Sequence, residues 1–270
     1  MIDNRSPVTP LMVARALVFT VWLYGLILVV GLLAMPLLLG PRAWVMRLVR
    51  LWVDLVMWGL KVFVGQTVEF RGLEHRPEGA AIIACKHLSM LDTIVPFQQL
   101  DDPCFVLKRE LIRLPVYGWF AAKTRMLPVN RGGGSQAVRD LSALAQVRLQ
   151  EERQIVIFPE GTRKPLGAEP HYKGGVAALY RDLKLPCTPM ATNSGAFWPA
   201  HGFVRRPGVV VFEFLEPIPR GLARAEFMRR LETRIENASN TLLAEAGIIV
   251  PKRVRARKKS ELSTSESPAQ

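Results

Sequence analysis

The chain has 270 residues, enough for one sizeable domain with its own core or for one domain plus an anchor. Charged residues make up 22%, which excludes wholesale disorder, while the 49% that are hydrophobic are concentrated towards the N-terminus. Lys and Arg outnumber Asp and Glu by 36 to 23, and a net charge of +13 implies an anionic partner: nucleic acid, a membrane surface or a phosphorylated substrate.

From Ala16 to Leu39 no residue is charged. A membrane-spanning helix needs about 20 apolar residues, so this run is long enough. It is too long for a signal-peptide core, and no small-residue cleavage site follows it cleanly. Pro36 marks its end or a kink. In the next segment, Pro41 to Val64, Arg47, Arg50, Asp54 and Lys61 fall on one helical stripe, and Trp44, Leu48, Leu51, Trp52, Leu55, Met57, Trp58 and Leu60 cover most of the rest. Such a helix suits a membrane interface, or it packs on a soluble domain. A true span and an anchor inserted from one side both fit these residues. Arg42, Arg47 and Arg50 follow the apolar run, against Arg5 and Arg15 before it, which favours the cytoplasmic side for the segment that follows.

Beyond Val64 the pattern becomes globular. Strands are expected at Thr67–Phe70, Ala80–Cys85, Cys104–Leu107, Met126–Val129, Gln154–Phe158, Cys187–Ala191 and Val209–Phe214. A helix is expected over Ser135–Glu151, and another carries Phe227, Leu231, Ile235, Ala238 and Leu242 and stops at Gly247. This alternation implies an α/β domain, its mostly parallel sheet flanked by helices, with ligands at the carboxyl ends of strands. The expected organisation is a membrane anchor over 1–64, a globular domain over 65–250 and a basic, disordered tail over 251–270. In that tail Lys252, Arg253, Arg255, Arg257, Lys258 and Lys259 crowd together. Cys85, Cys104 and Cys187 lie in apolar runs without CxxC spacing and read as core residues.

Four blocks can carry chemistry. In AIIACKHLSMLD a strand ends near Lys86, His87 follows, and a helix is expected from about Ser89. Asp92 is five residues beyond His87, about 140° away on a continuous helix. With His87 in a turn, the carboxylate can reach back to the ring and form two-thirds of a Ser-His-Asp triad; a structural His with a capping Asp fits the same spacing. In IVIFPEGTRK a strand runs into Glu160, Gly161, Thr162 and Arg163. There glycine permits close backbone approach and Arg offers a fork for phosphate, although no Walker lysine follows. MLPVNRGGG ends a strand at Arg131, and LKRELIRLPVYGW contains Lys108, Glu110, Leu111, Pro115 and Gly118.

Together these blocks resemble the glycerophospholipid acyltransferase family over roughly Val64 to Phe214. Its H-x4-D motif matches His87–Asp92, its K-x-E-L and P-x-x-G elements match Lys108–Leu111 and Pro115–Gly118, and its P-x-x-R element matches Pro128–Arg131. The F-P-E-G-T-R motif is intact from Phe158 to Arg163, and Lys173-Gly174 follows. Asn130 stands where an aspartate is common, and Tyr172 where phenylalanine is usual.

The resemblance implies transfer of a fatty acyl group from an acyl thioester, acyl-CoA or acyl carrier protein, to the sn-2 hydroxyl of 1-acyl-sn-glycerol 3-phosphate, forming phosphatidic acid. A lyso-ornithine lipid or another lysophospholipid is the alternative acceptor. His87 would be the general base and Asp92 its orienting partner. Glu160, Gly161, Thr162 and Arg163 would hold the glycerol phosphate, with Arg131 and Lys173 assisting. No metal or cofactor is required, and His75, His87, His171 and His201 show no ligand spacing. No nucleic-acid motif appears; the resemblance implies lysophosphatidate, membrane phospholipid, acyl-CoA or acyl carrier protein and an anionic membrane surface as partners, with the catalytic domain on the cytoplasmic side of a bacterial inner membrane.

Overall fold

The computed structural model describes residues 7–248. Arg5 and the basic tail at 251–270 lie outside the described residues.

Helix α1 spans Pro10–Leu33. Thr9 caps it by accepting the Met12 N–H, and Pro10 takes the first position, where no N–H is needed. This is the one helix among the described residues long and apolar enough to cross a membrane. A 3-10 turn over Met35–Leu39 contains Pro36 and reverses the chain into α2, Arg42–Gly59, which ends in a π turn at Leu60–Val64. The two helices pack on each other, and the Trp22 indole donates to the Leu55 carbonyl (3.0 Å).

All seven strands expected from the sequence form: β1 Gln66–Arg71, β2 Ala81–Cys85, β3 Pro103–Lys108, β4 Leu127–Val129, β5 Gln154–Ile157, β6 Cys187–Thr192 and β7 Gly208–Phe214. They make one sheet in the order β1-β7-β6-β2-β5-β3-β4. Only β6 and β7 pair antiparallel, so β6, β2, β5, β3 and β4 all end at one edge. Between them lie α3 (Tyr117–Lys123), α4 (Gly134–Gln150), α5 (Gly175–Leu183) and α6 (Ser194–Phe197), with α7 (Arg224–Glu245) after β7.

Strand periodicity divides the core. Ile83 and Cys85 of β2, Val156 of β5 and Phe212 of β7 face α1 and α2, sharing a cluster with Phe19, Leu23, Val53 and Val56. Ile82 and Ala84 of β2 and Ile155 and Ile157 of β5 face α4, α5 and α7, against Leu141, Leu179, Phe227 and Leu231. Successive side chains on a strand alternate faces, so a sheet covered on both sides buries every residue of β2, β5 and β6. All three cysteines are buried there, and desolvation raises each thiol pKa, that of Cys104 to about 11.

The sequence break at residue 64 is therefore not a break in the core. Polar contacts join the same parts. Arg42 of α2 pairs with Asp102, which also pairs with the fully buried Arg153. Arg205, beyond α6, donates to the Thr20 hydroxyl of α1 (2.9 Å) and lies over the Phe19 and Trp198 rings. Burial lowers its pKa to about 10.

One expected element is absent. No α-helix starts near Ser89; two 3-10 turns, Leu91–Thr93 and Val95–Gln98, stand there instead. Asp92 takes the Leu88 and Ser89 N–H groups for itself, and Pro96 supplies no donor.

Candidate active site

His87 leaves the end of β2, and the chain wraps at once around the Asp92 carboxylate. Oδ2 of Asp92 accepts the Leu88 and Ser89 N–H groups at 2.7 and 2.8 Å and faces His87 Nδ1 at 3.2 Å. Ser89 Oγ accepts the Leu91 N–H and tightens the same turn. Asp92 is fully buried, and its other oxygen accepts the Ser194 hydroxyl at 2.5 Å. Ser194 opens α6 after β6, the strand beside β2. Sequence reasoning missed this residue: its partner lies 102 positions away, and only the sheet order brings them together.

The backbone of His87 is clamped on both sides. Its N–H donates to Glu160 Oε2 (2.8 Å), and its C=O accepts from the Lys164 N–H (2.9 Å). The imidazole stacks on Phe158, 4.0 Å between centroids and 20° between planes. Nδ1 is thus committed to Asp92, and Nε2 is left for a substrate proton.

The resemblance assigned Glu160 to the glycerol phosphate; in the structure its side chain is fully buried and turned inward. Its Oε1 pairs with Lys86 Nζ at 2.8 Å, and Lys86 also pairs with Glu236 of α7. Burial raises the Glu160 pKa, with Lys86 opposing. Burial alone would lower that of Lys86, but the two carboxylates outweigh it and leave it raised. Through its other oxygen Glu160 holds the His87 backbone N–H from below. Tyr172, which stands at the usual phenylalanine, donates its hydroxyl to Glu236 (3.0 Å) and joins this network.

The other expected residues lie on the open side. Gly161 adopts φ +67° in the turn after β5, a conformation that favours glycine, and the Lys173 side chain passes over it. Thr162, Arg163 and Lys173 are exposed, and Arg163 and Lys173 form no ion pair among the described residues. Arg131 likewise has no partner within ion-pair distance; partial burial lowers its pKa, with Glu110 pulling the other way. It leaves β4, two strand spacings or about 10 Å from β5, so it shares the edge with Arg163 without adjoining it. Asn130 does not hold Arg131: its Oδ1 accepts the Gly132 N–H and shapes the loop.

A histidine with an oriented ring and unpaired cations thus share one edge of the sheet. That combination can deprotonate a hydroxyl carried by an anionic molecule.

Comparison with known proteins agrees with this geometry. Residues 67–193 match the Acyltransferase family model. The chain is 33% identical over 162 residues to the 1-acyl-sn-glycerol-3-phosphate acyltransferase of Pseudomonas aeruginosa, covering 60% of this chain and 63% of that protein. It is 28% identical over 174 residues to the human 1-acyl-sn-glycerol-3-phosphate acyltransferase alpha, covering 63% and 60%. These matches span less than two thirds of the relatives' own length. The crystal structure of the 1-acyl-sn-glycerophosphate acyltransferase of Thermotoga maritima superposes with a TM-score of 0.68 at 20% identity, over 86% of this chain and 98% of that one, and so shares the fold. Motif order, sheet topology and sequence match coincide over one continuous segment, and through it the chain is similar to the acyltransferase family.

Proposed function

We propose that this protein transfers a fatty acyl group from an acyl thioester to the sn-2 hydroxyl of 1-acyl-sn-glycerol 3-phosphate, forming phosphatidic acid. The observation that carries the reading is the His87 ring, fixed through Nδ1 to Asp92 with Nε2 free, at an edge shared with unpaired arginines. The names of the relatives support the same acceptor.

Nε2 of His87 takes the proton of the acceptor hydroxyl as the oxygen attacks the thioester carbonyl. Asp92 holds the tautomer that leaves Nε2 basic and stabilises the imidazolium. When the tetrahedral intermediate collapses, the C–S bond breaks and the thiolate recovers the proton from His87. Base catalysis of this kind contributes roughly 10²–10⁴-fold. Arg163, with Lys173 beside Gly161, binds the phosphate monoester, and Arg131 adds charge from the loop after β4, two strands along the edge.

The acceptor is a lipid, and α1 suits a site at the bilayer surface. The domain touches α1 from Ala16, beside Arg205, to Gly31, beside Val116, which is about 22 Å of helix. A helix held along that length by a charged domain cannot cross a hydrocarbon layer of about 30 Å without drawing Arg205 into it. The anchor therefore enters from one side, the cytoplasmic side where acyl thioesters occur, with Leu17, Val21, Leu28 and Leu32 towards lipid.

The test is a panel of lysophosphatidate and phosphate-free lyso-lipid acceptors against acyl-CoA and acyl carrier protein donors. Lysophosphatidate is the expected preference, and a preference for lyso-ornithine lipid overturns the assignment. His87→Ala should lower kcat at least about 100-fold with its circular dichroism unchanged; near-normal turnover would remove His87 from the mechanism.

A further inference from the structure

The segment between β3 and α3 holds the K-x-E-L and P-x-x-G elements, and the mechanism above uses neither. It opens with a 3-10 turn, Arg109–Arg113, and runs into α3 through a strained backbone. Val116 sits at φ 61° and ψ −71°, where a β-branched residue is a genuine outlier. Two contacts hold it. Val116 is buried with Cγ1 filling the notch over Gly31 of α1, 2.2 Å from where a Cβ on that glycine would stand. Gly118 presses on the Ile112 backbone, where a Cβ would lie 2.1 Å from the carbonyl oxygen.

The strained turn determines what the surface presents. With Val116 drawn inward, Leu114, Tyr117 and Trp119 are 47%, 43% and 44% exposed. Helix α3 abuts the Met35–Leu39 turn, whose Leu39 is 93% exposed, so this patch continues the bare apolar side of α1. Its rim is basic. Arg109, Arg113 and Lys123 have no ion pair among the described residues, and the nearby acid Glu110 pairs with Lys108. An aromatic and leucine centre inside a cationic rim matches the headgroup boundary of an anionic bilayer. The same segment reaches the site mouth, because the Arg109–Arg113 turn packs against β4, the strand that leads to Arg131.

We propose that Leu114, Tyr117 and Trp119 form a third membrane-contacting element beside α1 and α2, which seats the mouth of the site on anionic lipid so that the acceptor reaches His87 from the bilayer. The lipid contact stands independently; the delivery role rests on the acyl-acceptor reading above.

Two measurements separate the parts. In the full chain, Trp119→Cys is labelled with a polarity-sensitive fluorophore, the native cysteines being buried, and mixed with phosphatidylglycerol vesicles; Arg229→Cys on the exposed side of α7 is the control. A blue shift and quenching by lipid-borne quenchers at 119 but not at 229 is expected. An unchanged spectrum at 119, or a shift that needs a second protein, overturns the lipid contact. In kinetics, Trp119→Glu should raise the KM for a long-chain acceptor in vesicles about tenfold, leaving the KM of the thioester and of a short-chain, monomeric acceptor unchanged. Equal losses on both acceptors overturn the delivery role. If wild type acylates no lysophosphatidate, the acceptor reading fails while the fluorescence result still decides the contact.

Discussion

Asp92 does more than face a histidine. Four donors converge on its carboxylate: the His87 ring, two backbone N–H groups and the Ser194 hydroxyl. The H-x4-D spacing made the first legible and left open whether the pair was structural. The rest depended on the turn that forms in place of a helix and on a strand brought alongside from far down the chain. Hydrogen bonds to charged groups contribute about 1.5–3 kcal/mol, so Ser194→Ala should lower kcat roughly tenfold or more with both KM values unchanged, and Ser194→Thr should restore much of it. A KM effect would mean that Ser194 touches substrate. Arg163 tests the opposite side of the site. Arg163→Lys keeps the charge but loses the planar fork, so the KM for lysophosphatidate should rise more than that for the thioester, and further still in Arg163→Ala. Steady-state kinetics on both substrates checks this, and an unchanged acceptor KM would place the phosphate elsewhere.

Among the elements, the sheet was the most legible and the turn after His87 the least. Strands buried on both faces read as short apolar runs, and each appeared within a residue or two of its expected place. The apolar stripe of α7 was equally visible, but nothing in its spacing marked Glu236. It is in fact the far end of a network running through Lys86 and Glu160 to the His87 N–H. Motif membership identified Glu160 but not its direction, since inward and outward carboxylates have the same spacing. Breaking a buried pair costs about 3–5 kcal/mol, so Lys86→Met should be destabilised by about that much at neutral pH in chemical denaturation. The deficit should shrink as the pH falls towards the ordinary carboxylate range. Burial holds the Glu160 pKa above its unfolded value, so in that window the folded state binds the proton more readily, and lowering the pH favours folding. A pH-independent deficit would exclude Glu160 as the uncompensated charge.

For the whole molecule, the composition signalled an anchor and a domain, and the structure joins them through one core. Deleting residues 1–64 should not release a soluble enzyme. It uncovers Ile83, Cys85, Val156 and Phe212 along one face of the sheet, and aggregation during purification is expected; a monomeric, active truncation by light scattering would contradict the shared core. The register of the outermost strand adds a constraint on biosynthesis. β1 pairs with β7 alone, Gln66 opposite Gly208, so the first strand to leave the ribosome waits for the last one. At about 5–20 residues per second that interval is on the order of ten seconds, during which the sheet covering the inner faces of α1 and α2 lacks β7 and its Phe212. The bilayer is the apolar phase at hand in that interval, and the lipid that later supplies the substrate would first serve as the chaperone of the nascent chain.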